Sequence, residues 1–186
     1  MKTLLNTTLL FLLVIGFSGG ASGQDEPDFE YTKRLAEAGI VEAQLLMGRM
    51  YGRGEGVPKS DVEAFRWFRL AAEQGDADAL VIIGLMYAEG AGVPENDAES
   101  VRWYRLAAEQ GLATAQSNLG FVYARGEGVP ENNVRAYVWF SVAAAQGLDD
   151  ARSNRDIITQ LLTPDERARG QDMATRCFES DYQDCE

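Results

Sequence analysis

The stretch GRGEGVP at residues 52–58 follows the run EAQLLMGRMY at 42–51 and decides how the chain is read. Three glycines and a proline end whatever precedes them, because glycine permits positive φ and proline cannot continue a helix. The same stretch returns as AEGAGVP at 88–94 and ARGEGVP at 124–130. A phosphate-binding loop needs a strand before it and Lys-Ser/Thr opening a helix behind it. Neither is present at that spacing, and two of the three copies follow the proline with Glu-Asn. The stretch therefore reads as a turn between antiparallel helices, with Val57-Pro58 as an extended dipeptide.

The Gly-Val-Pro triplet starts at Gly56, Gly92 and Gly128, a period of 36 residues. Ala43/Ala79/Ala115, Gly48/Gly84/Gly120, Tyr51/Tyr87/Tyr123, Trp67/Trp103/Trp139 and Gly75/Gly111/Gly147 keep the same period. A fixed period of this size marks a stacked helical repeat. In the first unit, helix A covers about 41–52, with Ala43, Met47 and Tyr51 on one face by 3.6-residue geometry. Gly48 lets a neighbouring helix approach. Asp61 marks the start of helix B, which runs over about 60–74. Its apolar face carries Ala64, Trp67, Phe68, Ala71 and Ala72, and Gly75 ends it. Three tryptophans in register on such a face read as repeat-to-repeat core rather than as ligand-stacking platforms.

The flanks diverge, as terminal caps of a solenoid do. Residues 24–39 form a half repeat, with Tyr31 where Trp67 stands in the next unit. Residues 148–162 align with helix A but carry Asp156 and Thr159 in place of the Gly and Tyr landmarks. A last helix begins with Thr163 as N-cap, Pro164 first and Glu166 third. About nine helices and no strand pattern result.

The chain has 186 residues, a net charge of −12 and no histidine. Acidity disfavours nucleic acid as a partner. The missing histidine removes the commonest general base and metal ligand. Lys2, the short apolar run Leu9–Phe17 and the small residues of SGGASGQ at 18–24 read as an export signal. Ala21-Ser22-Gly23 fits a cleavage site, which makes residues 1–23 a signal peptide and Gln24 the mature start. The run is short for a membrane span, so no stable membrane insertion is expected after cleavage. Cys177 and Cys185, the only two cysteines, are expected to close a small disulfide loop at an acidic tail, as an oxidising compartment allows. Periplasmic or secreted localisation follows from both signals.

The landmarks of the first unit are Ala43, Gly48, Tyr51, Gly54, Gly56, Trp67, Ala71, Ala72 and Gly75. They resemble the Sel-one-like repeat, a relative of the tetratricopeptide repeat. Three full copies cover 40–75, 76–111 and 112–147. Met47, Ile83 and Leu119 fill the leucine slot; Ala64 and Ala136 keep the mid-helix alanine, from which Ser100 departs. LTPDERARGQDMA at 162–174 is similar to a tail of secreted bacterial members. The resemblance implies an all-α fold, an α/α solenoid with right-handed superhelical twist. It also implies a concave side that binds a protein or peptide. A cysteine-rich branch of the family, with a disulfide in each repeat, is linked to β-lactam binding and hydrolysis. Here the repeats hold no cysteine.

On helix A the row beside the core comprises 42, 45 and 49 and their counterparts. It reads Glu42/Asp78/Thr114, Leu45/Val81/Ser117 and Arg49/Leu85/Phe121, varying while the core positions hold. Glu42, Leu45, Arg49, Asp78, Val81, Leu85, Ser117 and Phe121 are the candidate concave partner-binding residues, with Leu45, Val81, Leu85 and Phe121 as an apolar stripe. The expected role is a non-catalytic, monomeric interaction module that needs no cofactor or metal. One alternative is a cell-wall or β-lactam hydrolase, for which Glu42 and Asp78 are the formal carboxylate pair. Another is a structural spacer in an envelope or polysaccharide-export complex. Intact-mass measurement on protein from its native envelope should give a chain beginning at Gln24; a major species retaining residues 1–23 would overturn the cleavage reading.

Overall fold

An aromatic ring laid on a helical glycine closes each helical hairpin of the fold. The computed structural model of the chain describes residues 29–185. Among the described residues there are nine helices and no strand: α1 (Phe29–Glu37), α2 (Val41–Arg53), α3 (Asp61–Glu73), α4 (Ala77–Glu89), α5 (Asp97–Glu109), α6 (Ala113–Arg125), α7 (Asn133–Ala145), α8 (Asp149–Thr159) and α9 (Pro164–Glu179). Three hairpins, α2–α3, α4–α5 and α6–α7, stack in chain order through α3–α4 and α5–α6. A β-carbon added to Gly48 would stand 2.6 Å from the Phe68 ring, one on Gly84 2.7 Å from Tyr104, and one on Gly120 2.6 Å from Phe140. These separations are shorter than carbon packing permits, so the three helices can approach only where the side chain is hydrogen.

The turns explain the glycine-rich signature. Gly54, Gly90 and Gly126 cap α2, α4 and α6 in the left-handed region, at φ 74°, 65° and 72°. Their amides donate to Met50, Met86 and Val122 carbonyls, which lack partners within the helix. Helix B begins at Asp61, the position marked in the sequence. Ser60, not Asp61, is the N-cap, and its side chain accepts from the Glu63 amide. Asn96 and Asn132 do the same for α5 and α7. The side chain of a residue held in extended backbone just before the helix reaches the third helical amide; Asp61 already has helical backbone and cannot. The amides of Ser60, Asn96 and Asn132 also donate to the carbonyls of Tyr51, Tyr87 and Tyr123 at 2.8–2.9 Å, tying each turn shut.

Repeats join through backbone as well as side chains. Gly92 sits against the Asp61 carbonyl of the preceding repeat, and a β-carbon on Gly128 would meet the Asp97 carbonyl at 2.6 Å. Gly56 has no preceding full repeat, and only the Met50 side chain lies near it. Buried Gln44 and Gln116 bridge helices: each donates to a helix-B carbonyl of the unit before (Ala36, Ala108) and accepts from Gln74 or Gln146 of its own unit at 2.7 Å. The middle repeat has Leu80 there, and Gln110 instead donates to the Gly75 carbonyl. Trp67, Trp103 and Trp139 are all buried, Trp67 within a cluster of Ala36, Ala43, Met47 and Met50.

The end of the chain breaks the pattern. The Thr163 hydroxyl and Glu166 carboxylate form a reciprocal capping box, and the hydrogen bonds from Thr163 hold the Glu166 carboxyl below its ordinary range. Instead of pairing with α8, α9 rests on α7, where Gly170 admits the Tyr137 ring.

Two equivalent loop glycines separate backbone strain from repeat packing. Gly56→Ala should lose only the cost of a left-handed φ, about 1–2 kcal/mol. Gly92→Ala should lose that and a further ~1–3 kcal/mol, because the Asp61 backbone must move. Urea denaturation of both variants measures the difference; equal midpoints would show that the loop does not set the repeat spacing.

Candidate functional site on the helix A row

The row beside the core on α2, α4 and α6 is divided by depth. Glu42, Arg49 and Asp78 are solvent-exposed, Val81 and Phe121 half-buried, and Leu45 and Ser117 buried. Leu85 stands out as a large apolar side chain that remains 45% exposed. Of the eight candidates, Leu85 and Phe121 come together as walls of one groove between α4 and α6. Phe121 also packs edge-on against Phe140, 5.1 Å between ring centroids, so one of its faces belongs to the core.

The groove encloses about 230 Å³. Ala88 and Val122 complete its apolar walls, and its floor is the first half of α5, with Asp97, Ser100 and Tyr104. Those floor residues lie outside the helix A row, on helix B, whose apolar face reads as core. One signal was legible: Ser100 breaks the mid-helix alanine of Ala64 and Ala136. Tyr104 likewise takes the position of Phe68 and Phe140. The middle repeat thus places two hydroxyls, one helical turn apart, where its neighbours carry none.

The electrostatics keep Tyr104 protonated. Burial pushes its hydroxyl above the usual tyrosine range, the nearby Ser100 hydroxyl opposes this, and the Glu89 and Glu127 carboxylates add to it. The group is a neutral hydrogen-bond donor at every physiological pH. At the mouth, Arg125 lies over the Phe121 ring, 5.3 Å from its centroid, and pairs with Glu127 at 3.6 Å. Glu42 and Asp78, the carboxylates of the hydrolase alternative, are both outside this groove. Among the described residues, no three His, Cys, Asp or Glu side chains are grouped to hold a metal ion.

The Sel1 repeat family model matches residues 41–76, 77–112 and 113–148. The chain belongs to the Sel1 repeat family. It is similar to a Sel1 repeat protein from Oxalobacter formigenes, with 40% identity over 69% of this chain and 97% of that one, at a TM-score of 0.63. It is also similar to c5321, a protective antigen of uropathogenic Escherichia coli with this fold, at 26% identity and TM-score 0.64. That match covers 83% of this chain but 42% of the antigen. Cysteine-rich protein B of Helicobacter pylori shares the fold at 22% identity and TM-score 0.52, covering 68% of this chain and 96% of that one. No curated protein matches the chain.

Away from the groove, this Sel1 repeat array is crossed by its own tail. Cys177 and Cys185 form a disulfide and both are buried. The loop between them carries Tyr182 onto Gly111, and the Gln183 side-chain amide donates to the Glu109 carbonyl at the end of α5. The bridge therefore does more than tie α9 to the terminus: it holds a clamp on the second repeat. A cavity of about 340 Å³ remains beneath, between Arg105, Trp139 and Tyr182. No helix among the described residues is long and apolar enough to cross a membrane; the apolar run of the proposed signal lies outside the described residues. Replacing both cysteines by serine should lower stability by roughly 2–3 kcal/mol. Non-reducing peptide mapping should show the linked pair in native protein, and an unchanged denaturation midpoint for the double variant would show that the clamp contributes nothing.

Proposed function

We propose that the protein is an exported, non-catalytic adaptor that binds a protein or peptide along the concave, helix A side of its solenoid. The observation that carries this reading is the groove of Leu85 and Phe121. A helical repeat buries its apolar residues between neighbouring units, yet Leu85 points a large apolar side chain into open solvent beside a half-buried aromatic ring. Exposed apolar groups gathered in a cleft, rimmed by polar residues, are the usual mark of an interaction site. Membership of a repeat family that works through protein contacts supports the same reading. Glu42, Arg49, Asp78 and Val81 form the flanks of the proposed surface, while buried Leu45 and Ser117 support it from beneath. The proposed N-terminal signal and the Cys177–Cys185 bridge support a periplasmic or extracellular site of action.

Leu85→Glu is the sharper test of the two groove walls, since Phe121→Glu would also remove the Phe140 contact and cost stability. Leu85→Glu should keep the helical signal and shift stability by no more than about 0.5 kcal/mol. Cross-linking in the native host, followed by mass spectrometry, should then show the partner captured by wild type and lost from the variant. Undiminished capture would place binding elsewhere.

A further inference from the structure

We infer that the occupant of the groove between the second and third repeats is a basic peptide segment that inserts one large apolar side chain. The inference rests on the adaptor reading and deepens it by specifying the partner's chemistry. Size comes first. A volume of about 230 Å³ falls below the ~300–1,000 Å³ usual for small-molecule and cofactor sites, but it accepts a single leucine, methionine or phenylalanine side chain. Leu85, Phe121 and Val122 supply apolar contact on two sides of such an anchor.

The floor adds direction. Ser100 and Tyr104 are buried and line the base of the groove, at positions where the sister repeats have Ala64 and Phe68, or Ala136 and Phe140. Replacing alanine and phenylalanine by their hydroxylated counterparts contributes nothing to apolar packing and leaves polar groups to satisfy. Tyr104 can donate, and Ser100 can donate or accept. A peptide backbone lying across the groove offers both kinds of partner beside its anchor side chain.

Charge decides which peptide. Asp97 and Glu127 line the groove, and Glu89 is close enough to act on Tyr104. Arg125 is the one cation lining the groove, and it is engaged by Glu127 and by the Phe121 ring. Asp97, Glu89 and Glu127 therefore outnumber it, in a protein whose net charge is −12. A segment with Lys or Arg on either side of its anchor meets complementary charge on approach and in place. An acidic segment meets repulsion.

The test uses purified, disulfide-intact protein and fluorescein-labelled nonapeptides read by fluorescence anisotropy. One peptide has a central Phe between Lys and Gly residues. The controls replace Phe by Gly, or every Lys by Glu. The Lys-Phe peptide should bind at least tenfold more tightly than either control and weaken as salt is raised. Ser100→Ala with Tyr104→Phe returns the floor to the sister-repeat residues, so the fold should hold, as an unchanged thermal midpoint would verify. That double variant should lose several-fold in affinity, and Glu127→Gln should lose affinity and reduce the salt dependence. Equal or tighter binding of the Glu peptide, indifference to the central Phe, or an unchanged affinity in the double variant would each overturn the inference. Leu85-dependent self-association in sedimentation velocity would overturn it too, by making a second copy the occupant. These failures differ from failure of the adaptor reading, which is judged by whether Leu85→Glu loses its captured partner in the native host.

Discussion

The contact between a glycine and an aromatic ring governs the rest of this structure. Phe68, Tyr104 and Phe140 lie on Gly48, Gly84 and Gly120, and each pair sets how closely the two helices of a hairpin can approach. A closer hairpin brings Ala64, Ala71 and Ala72 into the interior, where small side chains leave few voids only if backbones are near. The alanines, the glycine and the ring are therefore one device. Glycine in a helix interior costs about 1 kcal/mol in propensity relative to alanine. Burial of a large aromatic side chain offsets that cost, at roughly 1.5–3 kcal/mol on the transfer scale.

Stacking the hairpins needs a second constraint, and the loops supply it. Gly92 and Gly128 press against backbone at the first turn of helix B in the unit before. Gly56 occupies the same loop position with no unit to press against, yet it keeps its positive φ. Glycine is thus required twice over in the inner loops, once for the turn and once for the neighbour. The C-terminal end uses the same physics differently: Gly170 receives Tyr137, so α9 lies over α7 instead of extending the stack. The disulfide loop then reaches Gly111 and Glu109 and fastens the tail to the second repeat. The array is closed at this end by a clamp and not by another hairpin.

Against this regular frame, the middle repeat is the unit that changes character. It loses the buried glutamine at Leu80, gains the hydroxyls of Ser100 and Tyr104, and exposes Leu85 where the first repeat has Arg49. None of these changes replaces a glycine, and Tyr104 still lays its ring on Gly84, so spacing and stacking survive while the surface between α4 and α6 is free to vary. Positions that the repeat does not need are the ones free to form a binding surface.

The sequence by itself determined the repeat, its 36-residue period, the helical hairpins, the glycine turns and the tail pairing of Cys177 with Cys185, because each depends on local backbone preference or on spacing along the chain. It also identified Leu85 and Phe121 as unusual, since periodicity alone marks a row that varies. Only the tertiary structure decided which residues of that row face solvent. Leu45 and Ser117 share the helical phase of Val81 and yet are buried, because burial depends on the neighbouring helix as well as on phase. The partner of Gly48 could not be read either: Phe68 lies 20 residues away and next to the more conspicuous Trp67. The groove floor was hidden for a related reason. Ser100 and Tyr104 belong to helix B, and only the packing of α4 and α6 over α5 brings them into one groove with Leu85 and Phe121. A linear pattern records which face of a helix is apolar; the distance between two such faces belongs to the folded chain.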